Sequence, residues 1–303
     1  MKGAARQERI SAMTMTAFGP LRATIADPAV VEIMVNPSGD IWHERVGAPM
    51  AQCGWMDEQT RLGIIQLVAG TVNAECHAHK PRLSAMISEW GLRFQGFVPP
   101  AVKAPCFTIR KPALKVFTLA DYVCDGILTL AQSENLITTI WARQNLVIAG
   151  ATGTGKTTLA NAALAEMTAT GHRIVTIEAL QELRCTAPNT LALYTVPGRV
   201  TTRELVQDTL LSRPDRIVVG EVKDGSAHDL LKAWNTGHPG GLCTLHADSV
   251  EDTFERLEDL VAESPDAPPA DRIARMVRRA VQVIVFLERT PGGRVVKEVY
   301  HAG

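Results

Sequence analysis

The stretch Asn145 to Thr158, NLVIAGATGTGKTT, limits what this chain can fold into more than any other. A short apolar run, Leu146 to Ala149, breaks into a glycine-rich turn and then into residues able to start a helix. Gly150, Gly155, Lys156 and Thr157 match the spacing G-x-x-x-x-G-K-[ST]. In such a turn successive backbone N–H groups point inward and cradle phosphates, because glycine permits the backbone angles and leaves room for the ligand. Gly150, Thr152, Gly153, Thr154, Gly155, Lys156, Thr157 and Thr158 are therefore the expected nucleotide-binding residues. Lys156 is expected to reach the β- and γ-phosphates and the Thr157 hydroxyl to hold Mg²⁺, with the following helix aiming its positive end at the anion.

The residues around this loop set its context. A chain of 303 residues is comfortable for two domains. From Phe18 to Arg110 strands outnumber helices. A strand is expected at Val30–Val35, a turn at Asn36–Gly39 and a strand at Ile41–Arg45, with N-P-S-G as hairpin chemistry. Asp57 to Val72 reads as an Asp-capped helix, and strands are expected at Leu83–Ser88, Leu92–Phe97 and Cys106–Arg110. This is the order of a small α+β domain, residues 1–117, whose first sixteen residues read as a loose tail or short helix.

Residues 118–303 change to alternating strands and helices. Continuous apolar strands at Leu146–Ala149, Ile174–Glu178, Leu191–Thr195, Ile217–Gly220 and Leu242–Leu245 point to a buried parallel sheet of an α/β domain. Val281–Leu287 and Val295–Tyr300 flank a P-G-G turn and read as a hairpin. The formal net charge of −1 and an aromatic content of 5% argue against stable direct nucleic-acid binding. Six cysteines without a C-x-x-C pair suit reduced thiols in the cytosol, and no run of eighteen apolar residues is present.

Ligands of open α/β sheets bind beyond the carboxyl ends of the strands. RIVTIE ends in Glu178, with Glu182 expected one helical turn on in EALQEL; RIVVGE ends in Glu221; the run GLCTLHADS places His246 after a strand. Glu221 is a carboxylate suited to hold Mg²⁺ or to orient the attacking water. Glu178 or Glu182 could serve as general base, and His246 either donates to the γ-phosphate or is an ordinary hydrogen-bonded core histidine. Phosphoryl transfer also calls for guanidinium groups, for which Arg93, Arg110, Arg203 and Arg213 are candidates.

Taken in order, FTIRKP, GATGTGKTT, RIVTIEALQEL, RPDRIVVGEV with AWNTGHPGG, and TLHADS resemble the boxes of the type II and type IV secretion ATPases, above all the TrbB-type conjugal-transfer branch. The resemblance implies a RecA-like ATPase domain behind a smaller N-terminal domain, with ATP and Mg²⁺ bound and hydrolysed, and a homohexamer. It implies a cytoplasmic protein that works peripherally at the inner membrane with other secretion-system subunits, powering conjugative transfer or pilus assembly. A pilus-retraction motor and an ATP-gated scaffold are the alternatives. The family roles fall on Glu178, Glu221, His246 and Lys156 as catalytic residues, and on Arg110 and Arg93 as nucleotide contacts. Ala179 stands where relatives carry Asp after the acidic-box Glu, so Glu182 is a candidate to share that role. No tetracysteine zinc insertion is present, which favours the type IV side.

Overall fold

The structure is a computed structural model that describes residues 18–45, 48–87, 90–111, 117–196 and 198–302. The expected tail before Phe18, and Ser88 at the end of one expected strand, lie outside the described residues. The chain divides into two compact units, Met1–Leu114 and Lys115–Gly303.

In the first unit a 3-10 turn at Gly19–Leu21 leads into α1 (Arg22–Ala26), then into an antiparallel hairpin of β1 (Val30–Val35) and β2 (Asp40–Arg45). The turn between them closes at Gly39, with φ at +99; a side chain there would meet the Met56 carbonyl oxygen at 2.6 Å. β3 (Ala51–Trp55) adds to β2 and was not legible in the sequence, because all five of its residues are exposed and no buried face writes an alternation. α2 (Glu58–Thr71) begins at the expected Asp57, whose carboxylate accepts from the Thr60 amide at 2.9 Å.

β4 (Arg82–Ile87), β5 (Leu92–Phe97) and β6 (Cys106–Arg110) complete a sheet of order β3-β2-β1-β6-β5-β4, antiparallel throughout. Ile64, Ile65 and Val68 of α2 share one core with Ile33, Leu83, Phe94, Phe107 and Ile109. Each such side chain contributes about 1.5–3 kcal/mol by leaving water.

The second unit begins with α3 (Leu119–Cys124) and α4 (Leu130–Trp141), capped by Thr118 with Asp121 and by Thr129 with Gln132. The alternation follows: β7 (Leu146–Gly150), α5 (Lys156–Thr168), β8 (Ile174–Glu178), β9 (Thr190–Tyr194), α6 (Thr202–Leu210), β10 (Arg216–Val219), α7 (Ser226–Asn235) and β11 (Leu242–Leu245). Then come α8 (Val250–Ala262), α9 (Ala270–Ala280), β12 (Val283–Thr290) and β13 (Gly293–His301). The strand order is β13-β12-β7-β11-β10-β8-β9, parallel except for β13.

β7 is buried at every position, and its alternation divides the unit into two cores. Leu146 and Ile148 pack with α3, α4 and α5, whereas Val147 and Ala149 pack with α6 to α9. Continuous apolar strands are what a sheet covered on both faces requires.

A buried guanidinium anchors the amino-terminal ends of these strands. Arg216 is 0% exposed; it donates to the carbonyls of Gly240 at 2.9 Å and Ile140 at 2.7 Å and to His172 Nδ1 at 3.0 Å. Burial pulls its pKa down to about 10. Burial, and then the neighbouring Arg216 charge, hold His172 below its ordinary 6.5. A base with a depressed folded pKa contributes stability above its unfolded value and loses it as pH falls. We therefore predict that the denaturation midpoint falls from about pH 7 to about pH 5 by more in the native chain than in His172→Gln, in which an amide oxygen accepts from Arg216 without titrating. Chemical denaturation followed by circular dichroism at both pH values is the measurement.

Candidate functional site: the carboxyl ends of the parallel strands

β7 ends at Gly150, where φ is +150 and a side chain would run into the Leu287 carbonyl oxygen of β12. The loop continues through exposed Ala151, Thr152 and Gly153 to buried Thr154, whose hydroxyl donates to the Ala151 carbonyl at 2.9 Å. Gly153 and Gly155 are left-handed, with φ at +76 and +95, a conformation costly to any residue with a Cβ. Gly155 is the N-cap of α5, so Lys156, Thr157 and Thr158 form its first turn, Thr157 and Thr158 half-buried.

Lys156 is buried and folds back on the loop, donating from Nζ to the carbonyls of Gly150 at 2.8 Å and Ala151 at 3.0 Å. Its third contact is His246 Nδ1 at 3.2 Å, and His246 Nε2 lies 2.8 Å from Glu221 Oε1. An ammonium group only donates, so Nδ1 accepts and a neutral ring carries its proton on Nε2, the nitrogen that lies beside Glu221. Desolvation lowers the Lys156 pKa, opposed by the negative charge of Glu221. The expected lysine, histidine and strand-end glutamate thus form one chain of polar contacts.

Strand pairing explains the convergence. β11 runs beside β7 with Leu245 opposite Ala149, which brings His246, the next residue, level with Gly150. β10 lies on the other side of β11, and the Val222 amide and the Thr244 hydroxyl tie the two strand ends together at 3.0 and 2.6 Å.

Glu178 ends β8 and is 5% exposed. Its Oε1 accepts from the amides of Glu182 at 3.0 Å and Leu183 at 2.7 Å. Burial nevertheless pushes its pKa up to about 7, outweighing those two donors. A Cβ on Gly220 would lie 3.1 Å from Glu178 Cγ, so the residue before Glu221 must be small for the two acidic strand ends to come together.

EALQEL is not helical. Residues 179–189 carry no helix or strand, and Glu182 relates to Glu178 through its amide rather than across a helical turn. The Asn161 side chain fixes this loop, donating to the Glu182 carbonyl at 2.9 Å and accepting from the Arg184 amide at 2.7 Å. With Glu178 and Asn161 holding these backbone groups, the segment has an alternative to helical pairing.

Arg93 and Arg110 belong to the first unit. They face each other across β5 and β6, and Glu32 of β1 is the next residue in the same row, on the face opposite buried Ile33, Phe94 and Ile109. Arg203 is held by Asp229 at 3.0 Å and by Asp266. Arg213 is exposed, with φ at +52. Sequence reasoning missed Asn161, Gly220 and Arg294; the Arg294 side chain reaches within 3.4 Å of where a Cβ on Gly155 would be. An Asn one turn into a helix and a P-G-G-R hairpin carry no signal until the strand order is known.

The family model for "Type II/IV secretion system protein" matches residues 79–289, the last part of the first unit and most of the second. The chain belongs to the type II/IV secretion system protein family. The conjugal transfer protein TrbB of Rhizobium radiobacter is 41% identical over 283 residues, covering 93% of this chain and 86% of that protein. Among solved structures, the VirB11 ATPase of the Brucella suis type IV secretion system, in complex with sulphate, is 29% identical, covers 97% of this chain and 96% of its own, and superposes with a TM-score of 0.53. The pilus retraction motor PilT with bound ADP, at 16% identity, covers 93% of this chain and 82% of its own with a TM-score of 0.66, and shares the fold. These family likenesses give the two units their architecture, an N-terminal α+β domain followed by a RecA-like ATPase domain. Among the described residues no helix is long and apolar enough to cross a membrane.

An acid whose folded pKa is raised contributes stability below its ordinary value and loses it as pH rises through the folded value. For Glu178 that window runs from 4.5 to about 7. The Glu178→Gln variant is expected to lose less stability than the native chain between about pH 5 and about pH 8, measured as the urea midpoint at each pH.

Proposed function

We propose that this protein binds ATP with Mg²⁺ at the carboxyl ends of β7, β8, β10 and β11, hydrolyses it, and uses the cycle to drive a type IV secretion or conjugative transfer apparatus. The observation that carries the reading is the chain of polar contacts from Lys156 through His246 to Glu221, set against a loop with left-handed Gly153 and Gly155 and beside a buried Glu178. A loop of this shape supplies inward amides for phosphate oxygens.

The residues divide the work. Lys156 exchanges the Gly150 and Ala151 carbonyls for the β- and γ-phosphate oxygens, which compensate its buried charge better than neutral carbonyls do. The Thr157 hydroxyl and the Glu221 carboxylate are hard oxygen donors of the kind Mg²⁺ takes alongside phosphate and water. Held by these two side chains, Mg²⁺ would supply positive charge against the phosphates. Glu178 is the general base: Oε1 is occupied by two amides, leaving Oε2 to receive the proton of the attacking water, and a pKa of about 7 matches that task. When Lys156 turns to phosphate, His246 loses that donor and is free to answer the γ-phosphate while still facing Glu221. Glu182, positioned by its own amide, acts by holding Glu178 in place.

Arg93 and Arg110 lie opposite each other in the first unit's sheet, and we assign them to nucleotide contact. The relatives at 41% identity are named as conjugal transfer proteins; the homohexamer, and its action in the cytoplasm at the inner membrane with other secretion subunits, is carried over from the family resemblance.

The test is steady-state phosphate release by the purified full-length chain with Mg²⁺ and ATP, at protein concentrations spanning monomer and oligomer. We expect Lys156→Ala and Glu221→Gln to lower kcat by about 100-fold or more, and Glu178→Gln by a similar factor. A native chain that releases no phosphate in any oligomeric state would end the proposal. A second measurement concerns pH: kcat should rise with an apparent pKa near that of Glu178, about 7, and Glu178→Gln should remove this limb.

A further inference from the structure

The hairpin of β12 and β13 is not accounted for by its role in the sheet. β12 runs parallel to β7, with Leu287 opposite Gly150, so its next residues continue past the strand end beside the glycine-rich loop. There Arg289 and Arg294 stand directly opposite each other in the ladder. Like charges directly opposite on one face destabilise a hairpin. Both side chains are exposed, and among the described residues neither is paired with a carboxylate.

The face these arginines share can be read from alternation. Leu287 and Val296, two residues inward from Arg289 and Arg294, are buried in the core formed with α3, α4 and α5. Arg289 and Arg294 therefore continue that face outward, toward the start of α5. Arg294 lies against that start, since a Cβ placed on Gly155 would be 3.4 Å from both its Cδ and its Nη1. Val296 is tied there as well, its amide donating to the Ile127 carbonyl at 2.8 Å and its carbonyl accepting from Gln132 at 3.1 Å.

Two positive side chains meet at a place already positive from the first-turn amides of α5 and from Lys156. Without an anion this accumulation of like charge is unfavourable; with a polyphosphate it becomes a set of charge-assisted hydrogen bonds. Lys297, at the bulge of β13, bonds Glu288 at 3.0 Å, so this basic residue of the hairpin is paired with a carboxylate.

We propose that Arg294, seconded by Arg289, contacts the phosphates of the bound nucleotide from outside the glycine-rich loop, in the same subunit as Lys156. This rests on the nucleotide-site reading above, and it extends it to a residue beyond positions 79–289 that the family model matches. Arg294 is a binding residue: it sits on the β12 side of the loop, whereas His246, Glu221 and Glu178 approach from the β11, β10 and β8 side. Its contact is made equally in the bound ground state and the transition state, and such contacts change KM and leave kcat.

The experiment is equilibrium binding of a fluorescent ADP analogue to the full-length chain, followed by Mg²⁺-ATP turnover, for the native protein and for Arg294→Ala, Arg294→Gln, Arg294→Lys, Arg289→Ala and Lys297→Ala. Arg294→Ala and Arg294→Gln are expected to weaken ADP affinity and raise KM by about tenfold with kcat within about twofold of native. Arg294→Lys should recover part of the loss, Arg289→Ala should cost about threefold, and Lys297→Ala should bind as the native chain does. Native-like affinity in both Arg294→Ala and Arg294→Gln overturns the proposal, as does a loss confined to kcat. If the native chain binds no ADP analogue, the nucleotide-site reading itself has failed, an outcome distinct from native binding that the Arg294 variants leave unchanged.

Discussion

Everything at this site depends on the pairing of β7 with β11 on one side and β12 on the other. A strand buried at every position has no freedom to slide, because a slip of one residue would exchange its two cores. Leu146 and Ile148 belong to one and Val147 and Ala149 to the other. The end of β7 is thereby fixed in height, and the glycine turn starts at a defined level beside the Leu287 carbonyl. The same register sets His246 next to the loop and, through β10, sets Glu221 next to His246. The chemistry is assembled by hydrogen bonds made well below it.

The charges above this platform are held in conditions that each would leave if it could. Lys156 is buried with carbonyls and an imidazole for company, and desolvation depresses its pKa. Glu178 is buried with two amides that do not fully compensate it, so its pKa is raised. Both shifts favour the neutral forms, and a ligand that supplies negative charge to one side and a transferable proton to the other relieves both. Arg216 at the far end of the sheet contrasts with this: its donors are met by backbone carbonyls and His172, and its place is structural.

Much of this was legible in the chain, for identifiable reasons. The β1–β2 hairpin was legible because N-P-S-G writes its turn locally, and α2 because Asp57 both begins it and caps it. β3 was not, since an edge strand exposed on both faces leaves no periodicity. The helix expected in EALQEL failed because spacing alone does not reveal that Glu178 and Asn161 claim the backbone groups around Glu182. Strand-end residues could be named from motifs, but the chain from Lys156 through His246 to Glu221 joins three distant segments, and only the strand order brings them within reach. Arg93 and Arg110 were named singly; their position side by side is a property of register between β5 and β6.

The central place of β12 has a kinetic corollary. Asn145 and Gln282, bonded at 2.8 Å where β7 and β12 begin, are 137 positions apart in the chain. Pairings so far apart form late, and a polypeptide emerging from the ribosome presents its glycine turn long before the strand that flanks it exists. Until β12 docks, one side of β7 is an open ladder edge and the Gly150 backbone lacks the wall that shapes it. A growing chain would thus be unable to grip its ligand until synthesis has passed β12, which ties occupancy of the loop to completion of the sheet.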